Sequence, residues 1–321
     1  MDKSIRNKAL KTAAAAALAG TAVFCLGTGL SVEYSMAGEA SGLLKLAKLI
    51  FPGSRHKNPL IEEKERLESD LSSRPSEEIR IKSRDGLSLT GHWIGCDKPK
   101  RIIIAMHGWH SGWSRDFGFF QDFWKDNSCS ILYPEQRAQG SSEGKYSSFG
   151  LMERWDCMSW LDWVVRNKGT EVPIYLMGIS MGAATVLMAS ELGLPDCVHG
   201  IIADCGYTSP LAIMKYTAKR KFGSPYILEA PIADRVFRKN ISVSIREASP
   251  IEAMKKAGVP VLFIHGEDDR LVPVGMSFEN YAACTSPKRI LTVPGAVHGV
   301  SYIADKDAYE RAVKSFWNEF D

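Results

Sequence analysis

Gly178-Ile179-Ser180-Met181-Gly182 follows the apolar run "PIYLM" and leads into small and apolar residues. Glycines on either side of a serine remove the side chains that would crowd a sharp strand-to-helix turn, leaving the hydroxyl exposed. A serine hydroxyl is a weak nucleophile unless a base takes its proton and an acid orients that base. On such a turn the relay runs in chain order serine, acid, histidine. Downstream, "VPVLFIHG" is followed by "EDDRLVP", which offers Asp268 and Asp269, and "RILTVPG" is followed by "AVHG", which offers His298. Asp204, in "GIIADCG", is a reserve candidate for the acid. The chemistry of this set is acyl transfer through the serine. The plainer alternative is that glycine and serine only let a strand and a helix pack closely, and the ordered conjunction weighs against it.

The other histidines fit less well. His107 and His110 precede Ser180, His199 opens a strand, His56 lies in a charged stretch and His92 lies within a strand. His265 ends a strand before Gly266, which suggests a structural hydrogen bond. A tetrahedral intermediate also needs donors for its oxyanion. On this arrangement they are the backbone N–H of Met181 and that of Trp109 in the loop "MHGWHSGW". The side chains of Trp109 and Trp113 are candidates for the wall of an acyl pocket.

Each candidate falls just after a short, almost wholly apolar run: "RIIIAMHG", "CSILYP", "PIYLMGIS", "GIIADCG", "VPVLFIHG" and "RILTVPG". Strands buried on both faces of a parallel sheet look like this, and ligands of such sheets bind beyond the carboxyl ends of the strands. Before them, "EIRIKSRDGLSLTGHWIG" alternates around Asp85-Gly86 and predicts a β-hairpin. Helical patterns lie between the runs. One places Leu151, Trp155, Met158, Leu161 and Val165 on one side, and a closing helix over Lys306 to Phe320 has Ala308, Ala312, Val313 and Phe316 apolar. Alternating strand and helix predicts an α/β fold with a mostly parallel central sheet flanked by helices. The connection from Gly206 to Val259 is too long for a simple crossover and predicts a helical lid insertion, about 207–258.

The chain has 321 residues, 45% hydrophobic and 24% charged, the profile of a globular protein with a large core. A net charge of +3, with scattered Lys and Arg, gives no electrostatic footprint for nucleic acid. The seven cysteines contain no CxxC pair and read as buried free thiols. No HExxH, Walker loop or GxGxxG after a strand occurs, so no metal or cofactor is expected. At the N-terminus Lys3, Arg6, Lys8 and Lys11 precede an uncharged stretch from Thr12 to Val32, about 31 Å long as a helix. Residues 1–37 therefore read as an uncleaved membrane anchor, or as a signal peptide cut after Ser35-Met36-Ala37. Either puts the body outside the cytoplasm. A cytoplasmic protein with an unusual leader is the third reading, and the cysteines weigh against an oxidising compartment. Residues 38–77 read as a helical linker: an amphipathic stripe of Leu43, Leu46, Ala47 and Ile50, then the solvated helix "NPLIEEKERLESDLSS".

From Glu78 to the C-terminus the sequence resembles the α/β-hydrolase superfamily, and within it bacterial serine hydrolases of the serine aminopeptidase-like group, many of which carry an N-terminal anchor. The residues that carry the resemblance are "HGW", "EQRAQGSSEGKY", "GISMG", "ADCGYTSP", "HGEDDRLVP" and "VHG". It implies an α/β-hydrolase domain over 78–321, with Ser180 as nucleophile, His298 as base and, by the HGxxDxxVP pattern, Asp269 rather than Asp268 as acid. Related sequences commonly have Asp-x-Arg-Gly-x-Gly where this one has Glu135-Gln136-Arg137-Ala138-Gln139-Gly140, a departure that bears on subfamily and substrate. The expectation is a serine hydrolase cleaving a small-molecule carboxylic ester or acyl substrate. A peptidase of the same fold and an inactive, membrane-tethered binding protein are the alternatives.

Overall fold

The computed structural model describes residues 27–38, 58–222 and 230–321. The leader up to residue 26, the stripe from Leu43 to Ile50 and residues 223–229 of the insertion lie outside the described residues.

The strands are β1 (Glu77–Lys82), β2 (Ser88–Ile94), β3 (Arg101–Met106), β4 (Cys129–Pro134), β5 (Ile174–Ile179), β6 (Val198–Asp204), β7 (Val261–Gly266) and β8 (Lys288–Val293). They form one eight-stranded sheet in the order β1-β2-β4-β3-β5-β6-β7-β8. β1 and β2 make the expected antiparallel hairpin, with Gly86 at φ +90 in its turn. β2 pairs antiparallel with β4, and every other pairing is parallel. After β3 the chain goes to β4 on one side and then returns to β5 on the other. This reversal opens a crevice beyond the carboxyl ends of β3 and β5, the place where α/β sheets bind ligands.

Helix α1 spans 27–36, α2 Pro59–Ser72, α3 Trp113–Phe117, α4 Gln121–Asp126 and α5 Glu153–Lys168. They are followed by α6 (Met181–Ala189), α7 (Pro210–Phe222), α8 (Ala230–Ile241), α9 (Pro250–Met254), α10 (Val274–Ala283), α11 (Ser301–Ala304) and α12 (Lys306–Phe320). Side chains of a strand alternate between faces, and β3 divides accordingly. Ile102, Ile104 and Met106 join the cluster of Trp160, Leu161 and Val186, whereas Ile103 and Ala105 join that of Phe120, Tyr175 and Trp317. A third cluster sits over the carboxyl ends of the strands. It combines Ile213, Ala233 and Phe237 of the insertion with Phe149, Met181 and Met188, and with Val32 and Met36 of α1.

Three helices bury faces that differ in part from those read from their sequences. In α5 the buried side chains include Cys157, Trp160, Leu161 and Val164, while Trp155, Met158 and Val165 are half-buried. So many apolar residues surround this helix that contact with β1 and α6, not spacing, selects its inner face. In α12 Tyr309 and Trp317 are buried beside the expected Val313 and Phe316. The charged α2 is not wholly solvated, because it turns Lys64 and Leu71 inward. Among the described residues no helix is long and apolar enough to cross a membrane.

Glycine is needed where β5 turns into α6. A Cβ on Gly178 would lie 2.2 Å from the carbonyl carbon of Gly182, and one on Gly182 would lie 1.9 Å from the carbonyl oxygen of Met106. Both obstacles are backbone, which does not swing aside as a side chain would. Gly182→Ala is therefore expected to lower unfolding stability by about 3 kcal/mol or more, the upper range for overpacked sites. Gly258→Ala, where a Cβ meets nothing within 4 Å, is the control and should change little. Urea unfolding midpoints of the two variants check this.

Candidate active site

Ser180 occupies the single residue between β5 and α6, at φ 58 and ψ −115. A non-glycine residue in this region is strained by roughly 1–3 kcal/mol, and the neighbours hold it there. Its N–H donates to the carbonyl of Asp204 (2.8 Å) and its carbonyl accepts from Ala184 (3.1 Å). The side chain is thereby lifted out of the sheet and stays partly exposed.

The acid and the histidine arrive on two loops that are tied together. Asp268 N–H donates to the carbonyl of Ala296 (3.0 Å), joining the loop after β7 to the loop after β8. His298 then places Nε2 2.9 Å from Ser180 Oγ and Nδ1 2.6 Å from Asp269 Oδ2. The other oxygen of Asp269 accepts from the N–H groups of Leu271 (2.8 Å) and Val272 (2.9 Å). Burial pushes the Asp269 carboxyl up, but hydrogen bonds from His265, His298 and Val272 outweigh it and hold the group well below the usual carboxylate range. Asp269 is thus an ionised acceptor aimed at Nδ1, so the hydrogen of a neutral His298 sits on Nδ1 and Nε2 is free to accept from the serine.

The other candidates lie elsewhere. Asp268, two-way alternative to Asp269 in the sequence, is exposed. Asp204 is buried beneath the turn, where Ser301 Oγ donates to it (3.1 Å) and burial holds its carboxyl up at about 6. His265 supports the acid rather than the base position: its Nε2 lies 2.9 Å from the carbonyl of Val272 and 3.3 Å from Asp269 Oδ2, and its Nδ1 meets Ser277 Oγ (2.7 Å). His92 pairs with Glu135 (2.9 Å), and His199 Nδ1–H donates to the carbonyl of Phe320 (2.7 Å) at the opposite end of the sheet.

The loop after β3 crosses directly over the serine. A Cβ on Gly108 would lie 3.2 Å from Asp116 Oδ2 and 3.4 Å from Ser180 Cβ, so the loop passes close over the serine. His107 is buried and bonds to the carbonyl of Gly108 through Nδ1 (2.8 Å), while its Nε2 accepts the N–H of Gln136 (3.0 Å). These two bonds fix one tautomer of His107. They also fix the Trp109 N–H, which shares a rigid peptide plane with the Gly108 carbonyl. Met181 opens α6, so its N–H has no carbonyl within the helix to bond. The Trp109 ring is partly exposed, stacks near Phe149 and donates from Nε1 to the carbonyl of Ser35 (2.8 Å). Trp113 instead packs inward on His92 and Tyr133.

Sequence reasoning passed over several residues that shape the site. Gln136 holds His107, and the adjacent Arg137 makes two bonds of 2.6 Å to Asp156. Cys205 lies beside Asp269 and His298, and these were the one group of three potential metal ligands among the described residues. Burial pushes the Cys205 thiol far up. Lys64 and Asp116 form a buried pair behind the Gly108 loop. Only contact across the fold distinguishes these from ordinary polar residues, and no local spacing marks them.

An uncharacterized protein of Bacillus subtilis (strain 168), YqkD, is 27% identical over 236 residues, covering 74% of this chain and 77% of YqkD. The esterase Pf2001 of Pyrococcus furiosus has a similar structure, with a TM-score of 0.61 at 22% identity over 78% of this chain and 95% of that one. The acylaminoacyl peptidase of Pyrococcus horikoshii gives a TM-score of 0.56 at 19% identity over 78% of this chain but 42% of that one. These likenesses share the α/β-hydrolase fold of the sheet described above. Residues 146–320, more than half of the 321 and including Ser180, Asp269 and His298, match the sequence pattern of one family. The chain belongs to the prolyl oligopeptidase family.

Proposed function

We propose that the protein is a serine hydrolase that cleaves carboxylic esters through an acyl-enzyme on Ser180. The observation that carries this reading is the hydrogen-bonded line from Ser180 Oγ through His298 to Asp269, built on a strained turn at the open end of the sheet. Ser180 Oγ attacks the ester carbonyl carbon while its proton passes to His298 Nε2. Asp269 stabilises the resulting imidazolium without taking its proton. The carbonyl oxygen becomes an oxyanion that accepts from the N–H groups of Trp109 and Met181. Collapse breaks the ester C–O bond, and the leaving alcohol takes the proton from His298. Water then attacks the acyl-enzyme by the same path, releasing the acid and restoring Ser180.

The family name supports a second reading, a serine peptidase with the same relay. Ester cleavage is preferred because the chain parallels nearly all of a protein named an esterase, whereas more than half of the acylaminoacyl peptidase has no counterpart here. The insertion with α7 and α8 covers the site and is the part that would choose between substrates. A binding protein without activity is the less supported alternative, since no member of the relay is missing.

We infer further that residues 27–38 stay on the mature protein. Met36 and Ala37 are almost fully buried, and Ala37 bridges to Tyr146. The carbonyl of Met36 accepts from Ser147 (2.7 Å), whose hydroxyl meets Met181 Sδ (3.3 Å) next to the serine. A cut after Ala37 would strip this cover from Phe149 and Met181. Retention argues against the cut after Ala37 and leaves the uncleaved anchor and the cytoplasmic leader as the two readings of residues 1–37.

Four measurements test these readings. A fluorophosphonate probe should label the wild-type chain and not Ser180→Ala; equal labelling of both would remove the acyl-enzyme. p-Nitrophenyl esters should be turned over at least tenfold faster than aminoacyl anilides, and the reverse order would favour the peptidase. The depressed Asp269 carboxyl gives a pH test. A carboxylate with a lowered native pKa contributes stability above its unfolded value of about 4 and loses it as pH falls through the lower native value. The stability gap between wild type and Asp269→Asn should therefore be flat from pH 8 to about 5 and shrink only below about 4. At pH 7 the same variant should lose about 10⁴ in kcat. N-terminal sequencing of the mature protein should find residues 27–37 present, and a chain starting at Gly38 would overturn their retention.

A further inference from the structure

Lys64 lies on α2, outside the stretch matched by the family pattern, and points into the protein. Its side chain is 9% exposed and that of its partner Asp116 is 4% exposed, with Nζ 2.7 Å from Oδ1. Buried ion pairs are a poor source of net stability. Desolvating both charges costs several kcal/mol, and a well-packed apolar pair would often hold two helices as well or better. An ion pair supplies direction instead, and here all the directions lead to the serine.

Asp116 Oδ2 accepts the N–H of Gly108 (2.7 Å), and Oδ1 accepts the Ser111 hydroxyl (2.8 Å) together with the Lys64 ammonium. Residue 108 is therefore gripped on both sides, by Asp116 at its N–H and by His107 at its carbonyl. The following peptide N–H belongs to Trp109. Lys64 reaches a second loop as well, donating to the carbonyl of Gly299 (3.3 Å), the residue after His298. Gly299 sits at φ +66, and a Cβ there would lie 3.4 Å from Lys64 Nζ. One ammonium thus bonds the loop of the oxyanion donor, through Asp116, and the loop of the base, directly.

We propose that Lys64 is a positioning residue that sets the Gly108–Trp109 loop and the His298 loop against Ser180, acting through Asp116 and Gly299. The proposal rests on the acyl-enzyme reading of Ser180. Without the ammonium, Asp116 is a buried anion lacking its counter-charge. Its grip on Gly108 weakens when it takes up a proton or draws in water. The His298 loop loses its tether at the same time.

The test uses the full chain with Lys64→Met, Asp116→Leu and the double variant Lys64→Met/Asp116→Leu. The readouts are fluorophosphonate labelling rate, kcat and KM on p-nitrophenyl butyrate, and Tm. Lys64→Met should lower kcat and labelling rate together by about 10- to 100-fold, part of the 10²–10³ that a lost oxyanion donor costs, with KM changed less than about threefold. The double variant leaves no buried charge unpaired, so it should regain most of the Tm lost by Lys64→Met while kcat stays low. Recovery of kcat along with Tm would reduce the pair to a structural contact and overturn the proposal. So would a Lys64→Met enzyme with wild-type kcat. A wild-type chain that the probe does not label would instead overturn the acyl-enzyme reading itself.

Discussion

The backbone contact between α6 and the end of β3 is the constraint on which the rest depends. Gly182 lies against the carbonyl of Met106 so closely that any side chain would collide with it. That closeness lets α6 rise from β5 without an intervening loop, so one residue, Ser180, makes the whole turn. The resulting strain is offset by the helix itself. Every residue of α6 is buried, and the turn is bonded to Asp204 and Ala184. With Ser180 fixed on the sheet, the remaining groups need only arrive at one place.

They arrive on loops, and each loop is held by bonds beyond the chemistry. The loop of Asp269 is joined to that of His298 through Ala296, and Asp269 keeps two backbone N–H donors in addition to its histidine. His107, Gln136 and Asp116 fix the Gly108 loop from two directions. A carboxylate or imidazole saturated in this way has little freedom to turn, which is what preorganisation means in atomic terms. The cover is different in kind. α7 and α8 meet Phe149 and Met181 through apolar contacts that carry no such directionality, while α1 adds hydrogen bonds from Ser147 to Met36 and from Trp109 to Ser35.

Much of this was legible in the chain of letters. The six apolar runs became six strands, the Asp85-Gly86 signal became a hairpin, and the long connection became helices over the sheet. Ser180, Asp269 and His298 each stood at the end of such a run, and the structure brings them within hydrogen-bond reach. Inner faces were less legible. For α5, with tryptophan on several sides, spacing pointed to Trp155 and Val165 where contact selected Trp160 and Val164. For α2 a charged sequence suggested a solvated helix, because the partner that draws Lys64 inward lies far along the chain.

The sequence by itself determined the strand register of chemistry: which residues end strands, in what order, and which must be glycine. Those properties are local, since a period of two and a missing side chain are written in neighbouring letters. The tertiary structure alone decided that Trp113 turns inward while Trp109 stays near the surface, that Asp204 is buried beneath the turn, and that α1 and Lys64 bond to the loops around Ser180. Each of these depends on a partner distant in sequence. A buried charge or carbonyl takes the position where its desolvation is compensated, and that position exists only once the chain has folded.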